Sequence, residues 1–186
     1  MAKLTTYSKE EISNKIHIRA GEQKLGQTMR FINLSDNWQA TLRKDNSKFV
    51  IFGVPEDIGI RANFGRPGSA SAWKSFLNTF VNIQHNQRCQ GNQITILGEL
   101  DTTLEMDQAQ QLDPHNEKDR EKLFEMVSQI DDMVTAIVKE IISQNKTPII
   151  IGGGHNNAYG NLKGLSLAKN KSINAINFDA HTDFRP

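Results

Sequence analysis

The longest regular pattern in the chain is a helix-period repeat that runs from Glu117 to Gln144. Its apolar residues recur at alternating spacings of four and three, which is typical of an amphipathic helix with one face on a core. These residues are Leu123, Val127, Ile130, Val134, Ile137 and Ile141. Asn116 is a suitable N-cap, and Pro148 ends the pattern. A coiled coil is the alternative, but the repeat is short. The isoleucines at 149–151 predict a buried strand directly after the helix, and this order favours a helix that covers a sheet.

Shorter patterns place further elements around this unit. The apolar runs at 49–53 and 94–97 predict two more buried strands. Apolar spacing predicts a helix over 71–81 and another over 157–168. The order strand, helix, strand, helix, strand predicts an α/β fold with a parallel sheet and right-handed crossovers.

The stretch from Ile173 to Pro186 joins an apolar run to three candidate metal ligands. Its apolar part, 173–178, predicts a strand that is buried on both faces. Asp179, His181 and Asp183 follow, two residues apart, and residues two apart in an extended chain point to the same side. Two carboxylates and an imidazole suit a hard divalent ion such as Mn²⁺, whereas soft-metal sites use thiolates.

A further candidate ligand, His155, follows the isoleucine strand after the glycines at 152–154. Glycine permits close backbone approach and unusual dihedral angles. Sites in open parallel sheets form beyond the carboxyl ends of the strands. We therefore expect His155 to reach across the top of the sheet toward Asp179 and Asp183.

Composition limits the classes of function. The chain has 186 residues, of which 37% are hydrophobic and 23% charged, and a formal net charge of +1. This balance argues against a nucleic-acid or membrane-surface partner, because both need a concentrated positive field. Cys89 is the single cysteine, so no internal disulfide can form. With no apolar run of membrane-spanning length and no secretory leader, we expect a cytoplasmic protein.

Three segments resemble characteristic parts of the ureohydrolases, the family of arginase, agmatinase and formimidoylglutamase. GGGH at 152–155 and DAHTD at 179–183 resemble the first two metal motifs, and 53–73, with its N-x-G-R-x-G core, resembles an early loop. Most members have Asp where this chain has Gly154. That glycine and the DFRP ending are closer to the formimidoylglutamase branch. The resemblance implies a three-layer α/β/α fold with a mainly parallel, arginase-like sheet that is incomplete in this chain.

The resemblance also implies roles for the four candidate ligands. Asp179 would bridge two Mn²⁺ ions, His155 and Asp183 would bind one of them, and His181 the other. The ions would hold a bridging hydroxide that attacks the carbon of an amidine or guanidine, and Asp183 would help to move its proton. The implied function is Mn²⁺-dependent hydrolysis of a C–N bond in a linear amidine, as in formimidoylglutamase. The substrates of arginase or of agmatinase and guanidino-acid hydrolases are alternatives, and a homo-oligomer is expected.

Four ligands do not close two metal sites. The family supplies further ligands from a later D-x-D motif, and no earlier pair of aspartates stands two apart at a predicted strand end. We therefore expect residues 49–186 to be the N-terminal part of a ureohydrolase-like α/β domain, truncated at its C-terminus. Residues 1–48 are expected to be an N-terminal extension that packs on the sheet edge.

Other interpretations of the same residues stay open at this point. His155 could be only a backbone anchor, and 179–183 could be a solvated loop. The 152–154 glycines could form a phosphate loop at a helix N-terminus, but neither G-x-G-x-x-G nor Gly-Lys-Ser/Thr is present. A catalytically inactive homologue, kept for assembly or regulation, is a further alternative.

Overall fold

Five strands form one sheet in the computed structural model, which describes residues 4–33 and 37–181. The strands are β1 (Leu4–Thr5), β2 (Arg30–Phe31), β3 (Phe49–Val54), β4 (Ile94–Leu100) and β5 (Thr147–Gly152). Their order is β1, β4, β3, β5, and β2 also lies beside β4. The β3–β4, β3–β5 and β2–β4 pairs are parallel, and β1 is antiparallel to β4. The mainly parallel sheet is as predicted.

Helices connect and cover these strands. They are α1 (Lys9–Ser13), α2 (Leu25–Thr28), α3 (Trp38–Lys44), α4 (Ile58–Ala62), α5 (Ala72–Phe80), α6 (Thr103–Ala109), α7 (Glu117–Ser143) and α8 (Asn157–Lys169). The predicted helices at 71–81, 117–144 and 157–168 correspond to α5, α7 and α8. The structure adds short elements that the sequence pattern did not indicate, among them α6 and the two-residue strands.

The sheet has an apolar core on each face, which confirms the three-layer α/β/α architecture. Val50 and Phe52 of β3 face a core formed with α4, α7 and α8. Ile51 faces the opposite core, formed with α1, α2 and α5. This alternation follows from the two-residue period of a strand. Trp73 of α5 packs so closely on Gly53 that a Cβ there would lie 2.3 Å from the indole ring.

Helices α7 and α8 pack directly against each other beside β5. The Asn116 side chain accepts a hydrogen bond from the N–H of Asp119 at 3.2 Å and so caps α7 as predicted. A Cβ on Gly160 would lie 2.9 Å from the carbonyl of Asp131, and one on Gly164 would lie 2.8 Å from that of Thr135. The two glycines therefore allow the close approach of α8 to α7.

The predicted buried strand at 173–178 is wrong. This segment has no regular secondary structure, and Ile176 and Phe178 are 83% and 96% exposed. A strand that is apolar on both faces is stabilised only when both faces are covered. No described helix packs over these side chains, so their apolar character alone does not form the strand. Residues 179–181 form a bend and not an extended strand end.

The segment before β3 contributes to the sheet through β4. Leu4 pairs with Leu100, and Arg30 pairs with Thr95. The division of the chain at residue 48 stays a prediction. Across the described residues, no helix has the length and apolar character needed to cross a membrane.

Candidate functional site

The glycine turn after β5 lies at the carboxyl edge of the sheet. Gly152 pairs with Val54 at the end of β3, and the N–H of Gly153 donates to the Val54 carbonyl at 3.0 Å. The N–H of Asn157 donates to the Gly154 carbonyl at 3.2 Å, so the turn runs directly into α8. His155 is therefore presented at the edge where open parallel sheets form their sites.

A buried carboxylate lies beneath this turn. Glu56 follows the end of β3, and its side chain is completely buried. Its Oε1 accepts a hydrogen bond from the N–H of Gly154 at 2.9 Å and from Nδ2 of Asn157 at 2.7 Å. Its Oε2 accepts from the N–H of Ile58 at 2.8 Å. One side chain thus joins the start of α4 to the glycine turn and the start of α8.

The next residue, Asp57, organises the early loop at the same edge. Its carboxylate accepts from Nε of Arg61 and from the N–H of Gly68, both at 2.8 Å. It is buried, so these bonds are shielded from water. Asp57 therefore holds together the loop with the N-x-G-R-x-G core.

His155 and Asp179 come close in space. The Nδ1 atom of His155 lies 3.9 Å from Oδ2 of Asp179. The two residues belong to separate motifs, and the intervening helix α8 brings the chain back to the turn. The approach of His155 to Asp179 is as the two motifs predicted.

His181 contacts the other oxygen of the same carboxylate. Its N–H donates to Oδ1 of Asp179 at 2.8 Å, and its Nδ1 lies 3.3 Å from that oxygen. The backbone N–H of His181 is the main reason that the pKa of the Asp179 carboxyl is lowered, and the imidazoles of His181 and His155 add to this effect. Asp179 therefore keeps a negative charge in ordinary buffers.

These donors fit manganese in kind, although they are not arranged as a complete site. Imidazole and carboxylate suit Mn²⁺ better than a thiophilic metal. Within residues 4–33 and 37–181, no three side chains of His, Cys, Asp or Glu are placed to hold a metal ion. Asp183, the remaining predicted ligand, lies outside the described residues. The roles of all four ligands stay predictions.

A second buried carboxyl lies below the turn. Asp131 of α7 is 8% exposed. Burial raises its pKa to about 6; the Asn156 amide lowers the pKa, and the negative charges of Glu56 and Asp132 raise it. Two acidic side chains therefore approach the glycine turn from below, one from the end of β3 and one from α7.

Sequence reasoning missed Glu56 and Asn157. Neither belongs to a metal motif, and Glu56 was treated only as part of the early loop. A signal was available, because Glu56 stands just beyond a predicted strand, where parallel sheets form their sites. The sequence contains no pattern for its partners, since two of the three are backbone N–H groups.

Comparison with known proteins identifies the family. The model of the arginase family matches residues 47–186. This chain belongs to the arginase family. The match includes the early loop, the GGGH turn and the DAHTD segment, so the resemblance seen in the sequence is confirmed.

Relatives within the arginase family include several curated formimidoylglutamases. The proteins from Streptococcus pyogenes serotype M3 (strain MGAS315) and serotype M49 (strain NZ131) are each 26% identical to this chain over 167 residues. The alignment covers 88% of this chain and 43% of each relative. The chain thus spans less than half the length of the curated relatives it matches.

Two solved structures are similar over most of this chain. The structure of Trypanosoma cruzi formiminoglutamase with Mn²⁺ has a TM-score of 0.48 and 18% identity, over 79% of this chain and 41% of its own. The agmatine ureohydrolase of Thermoplasma volcanium has a TM-score of 0.44 and 20% identity, over 72% of this chain and 39% of its own.

Proposed function

We propose that the protein is a Mn²⁺-dependent hydrolase that cleaves a C–N bond of a linear amidine, with N-formimidoylglutamate as the substrate. The observation that carries this proposal is the 3.9 Å approach of His155 and Asp179, which come from two motifs of the arginase family. A solvated loop at 179–181 with no function would not need to return to the glycine turn.

The proposed site takes four ligands from this chain. They are His155, Asp179, His181 and Asp183. Two Mn²⁺ ions, when bound, would supply positive charge and acidify a water molecule for attack on the amidine carbon. Asp179 would help to hold them, because its carboxylate lies near the imidazoles of both His155 and His181.

The chain's own residues also prepare the site for this role. The N–H of His181 fixes one Asp179 oxygen and keeps the carboxyl ionised, so the ligand needs no deprotonation when metal binds. Asp183 is the proposed proton carrier beside the attacking water. Asp179 and Asp183 are thus the proposed catalytic carboxylates.

Formimidoylglutamate is preferred among amidines and guanidines for two reasons. The curated relatives above carry the name formimidoylglutamase. The chain also has Gly154, where most family members have an aspartate, and the DFRP ending, and both resemble the formimidoylglutamase branch. The cytoplasmic location and the homo-oligomer stay predictions of the same proposal.

The test is a substrate comparison with the full-length protein. The metal-free protein is loaded with Mn²⁺ and offered N-formimidoyl-L-glutamate, arginine, agmatine or a guanidino acid. The release of L-glutamate with formamide, or of urea from the guanidines, is followed. We expect turnover of the formimidoyl substrate only, and none after chelation. Turnover of a guanidine instead would show that the guanidine, and not N-formimidoylglutamate, is the substrate. Inactivity with every substrate at saturating Mn²⁺ would favour the interpretation as a catalytically inactive homologue.

A further inference from the structure

The buried carboxylate of Glu56 has no role in the proposed chemistry, yet it accepts three hydrogen bonds at this edge of the sheet. It is completely buried and accepts hydrogen bonds from Gly154, Asn157 and Ile58 at 2.7–2.9 Å. Burying a carboxylate is costly unless its oxygens are satisfied. A buried apolar side chain would fill the space at lower cost, so the position needs another explanation.

The hydrogen bonds of Glu56 fix the residues on both sides of His155. Gly154 precedes His155 and donates its N–H to Oε1. Asn157 follows two residues later and donates its Nδ2 both to Oε1 at 2.7 Å and to the Gly154 carbonyl at 2.9 Å. The backbone that carries His155 is therefore closed into a small ring by one carboxylate oxygen and one amide.

The space around Glu56 also explains the glycines of this turn. A Cβ on Gly154 would lie 3.0 Å from Oε1 of Glu56 and 2.1 Å from Oδ1 of Asn156. A Cβ on Gly153 would lie 2.3 Å from the Glu56 carbonyl. Side chains at these positions would crowd Asn156 and the carbonyl and carboxylate of Glu56, so glycine suits this close approach. Gly154 leaves room for the Glu56 carboxylate and also donates a hydrogen bond to it.

We propose that Glu56 is a positioning residue for His155, which it holds through the ring of hydrogen bonds with Gly154 and Asn157. The inference rests on the proposed function, because it takes His155 to be a Mn²⁺ ligand. Glu56 is completely buried, and it would act through the backbone that carries His155. It sets the direction from which the imidazole meets Asp179.

A purely structural role is the competing explanation, and the chain offers a matched control for it. Asp45 ties together the other end of the same strands, where it accepts hydrogen bonds from Ser47 and Thr95 and pairs with Arg30. Its side chain is 6% exposed. Asp45→Asn therefore removes a comparable buried network far from the glycine turn.

The experiment compares Glu56→Gln, Asp45→Asn and His155→Ala in the full-length protein. In Glu56→Gln one side-chain oxygen becomes an NH₂ group, which faces a donor and loses at least one of the three hydrogen bonds. Residues that orient a metal ligand contribute about 10–100-fold to metal affinity. We expect Glu56→Gln to weaken Mn²⁺ binding by about tenfold or more, measured by titration with free Mn²⁺ followed by electron paramagnetic resonance. Activity should return as Mn²⁺ is raised.

The control separates the two roles. We expect Asp45→Asn to lower the melting temperature as much as Glu56→Gln does. It should leave Mn²⁺ affinity within about twofold of wild type, because Asp45 shares no hydrogen-bond partner with the glycine turn and distant sites act independently. If Glu56→Gln lowers the melting temperature and binds Mn²⁺ like wild type, Glu56 is only structural and the inference is overturned. Should Glu56→Gln fail to fold, Gly154→Ala perturbs the same pair from the other side and is judged by the same affinity criterion.

His155→Ala distinguishes failure of this inference from failure of the proposed function. Weakened Mn²⁺ binding in His155→Ala with normal binding in Glu56→Gln rejects the positioning role alone. Wild-type Mn²⁺ binding in His155→Ala rejects His155 as a ligand, and the positioning role with it. Weakened binding in both variants supports the inference.

Discussion

The Nδ1 atom of His155 lies 3.9 Å from Oδ2 of Asp179, whose other oxygen accepts the N–H of His181. One oxygen of the Asp179 carboxylate therefore faces the glycine turn, and the other is held by the backbone of the bend at 179–181. This carboxylate is the group that links the two motifs in the described structure. This relationship makes Asp179 the most informative residue to change.

Asp179→Asn in the full-length protein is expected to lower kcat/KM for formimidoylglutamate by about a hundredfold or more. The substitution keeps the shape and one oxygen acceptor but removes the charge, and stabilisation by metal ions is worth several kcal/mol, with each tenfold in rate about 1.4 kcal/mol. Steady-state kinetics with saturating Mn²⁺ measure the effect. Asp107→Asn, on the exposed side of α6, is the control and is expected to leave the rate unchanged. Wild-type rates in Asp179→Asn would place the site elsewhere.

The 186-residue chain on its own is expected to bind Mn²⁺ weakly and to show no hydrolase activity. It provides four of the proposed ligands, and its described residues contain no group of three that could hold an ion. Titration calorimetry with Mn²⁺ and a glutamate-release assay test both parts. Robust turnover of formimidoylglutamate by these 186 residues alone would contradict the prediction.

Asp131 is expected to make stability depend on pH. Burial raises its pKa from the ordinary 3.8 to about 6 in the folded state, so between these values the folded protein binds more protons than the unfolded chain. Stability from this group is therefore greatest below about pH 4 and falls as pH rises to about 6. The full pKa shift corresponds to a change of about 3 kcal/mol in the free energy of unfolding. Water that reaches the carboxyl reduces this change to about 1–2 kcal/mol.

Asp131→Asn should accordingly stabilise the fold at pH 7 and flatten the pH profile between pH 4 and 6. Urea unfolding at a series of pH values measures both effects. The matched control is Asp132→Asn on the same helix, which removes an exposed pair with Lys163 at 3.1 Å and a minor contribution to the raised pKa of Asp131. It should change stability by about 0.5 kcal/mol or less. An unchanged or lower stability of Asp131→Asn at pH 7 would show that the carboxylate is satisfied in the folded state.

The sequence predicted best those elements whose apolar residues are buried by neighbouring elements of the fold. In α7, Leu123, Ile130, Val134, Ile137 and Ile141 are all buried, as their spacing indicates. The buried strand predicted at 149–151 forms as β5, but in the described sheet it lies at the edge, and Ile149 is 37% exposed. Strands β3 and β4 are apolar runs with an apolar core on each face, as predicted. Pattern and packing agree in these elements because each strand and helix packs against a described partner.

The residues 173–178 show the limit of the same reasoning. Their apolar character indicates what a strand could bury, but it does not supply the element that would cover it. Phe178 is consequently 96% exposed. Glu56 shows a different limit, because its partners are mainly backbone N–H groups, and backbone groups have no residue type by which a pattern could identify them.

Gly154→Ala is expected to destabilise the protein, whereas Gly152→Ala, two residues earlier in the chain, is expected to be tolerated. A Cβ at 154 would lie 2.1 Å from Asn156 Oδ1 and 3.0 Å from Glu56 Oε1, and overpacking of this kind costs about 1–3 kcal/mol. A Cβ at 152 would meet its nearest neighbour, the Val54 carbonyl, at 3.7 Å, which is ordinary contact. Neither glycine has a positive φ, so the comparison measures the effect of steric crowding without a contribution from backbone strain. Thermal unfolding of the two variants side by side measures the difference, and equal stabilities would mean that the Asn156 amide can move aside and that the turn does not require glycine at 154.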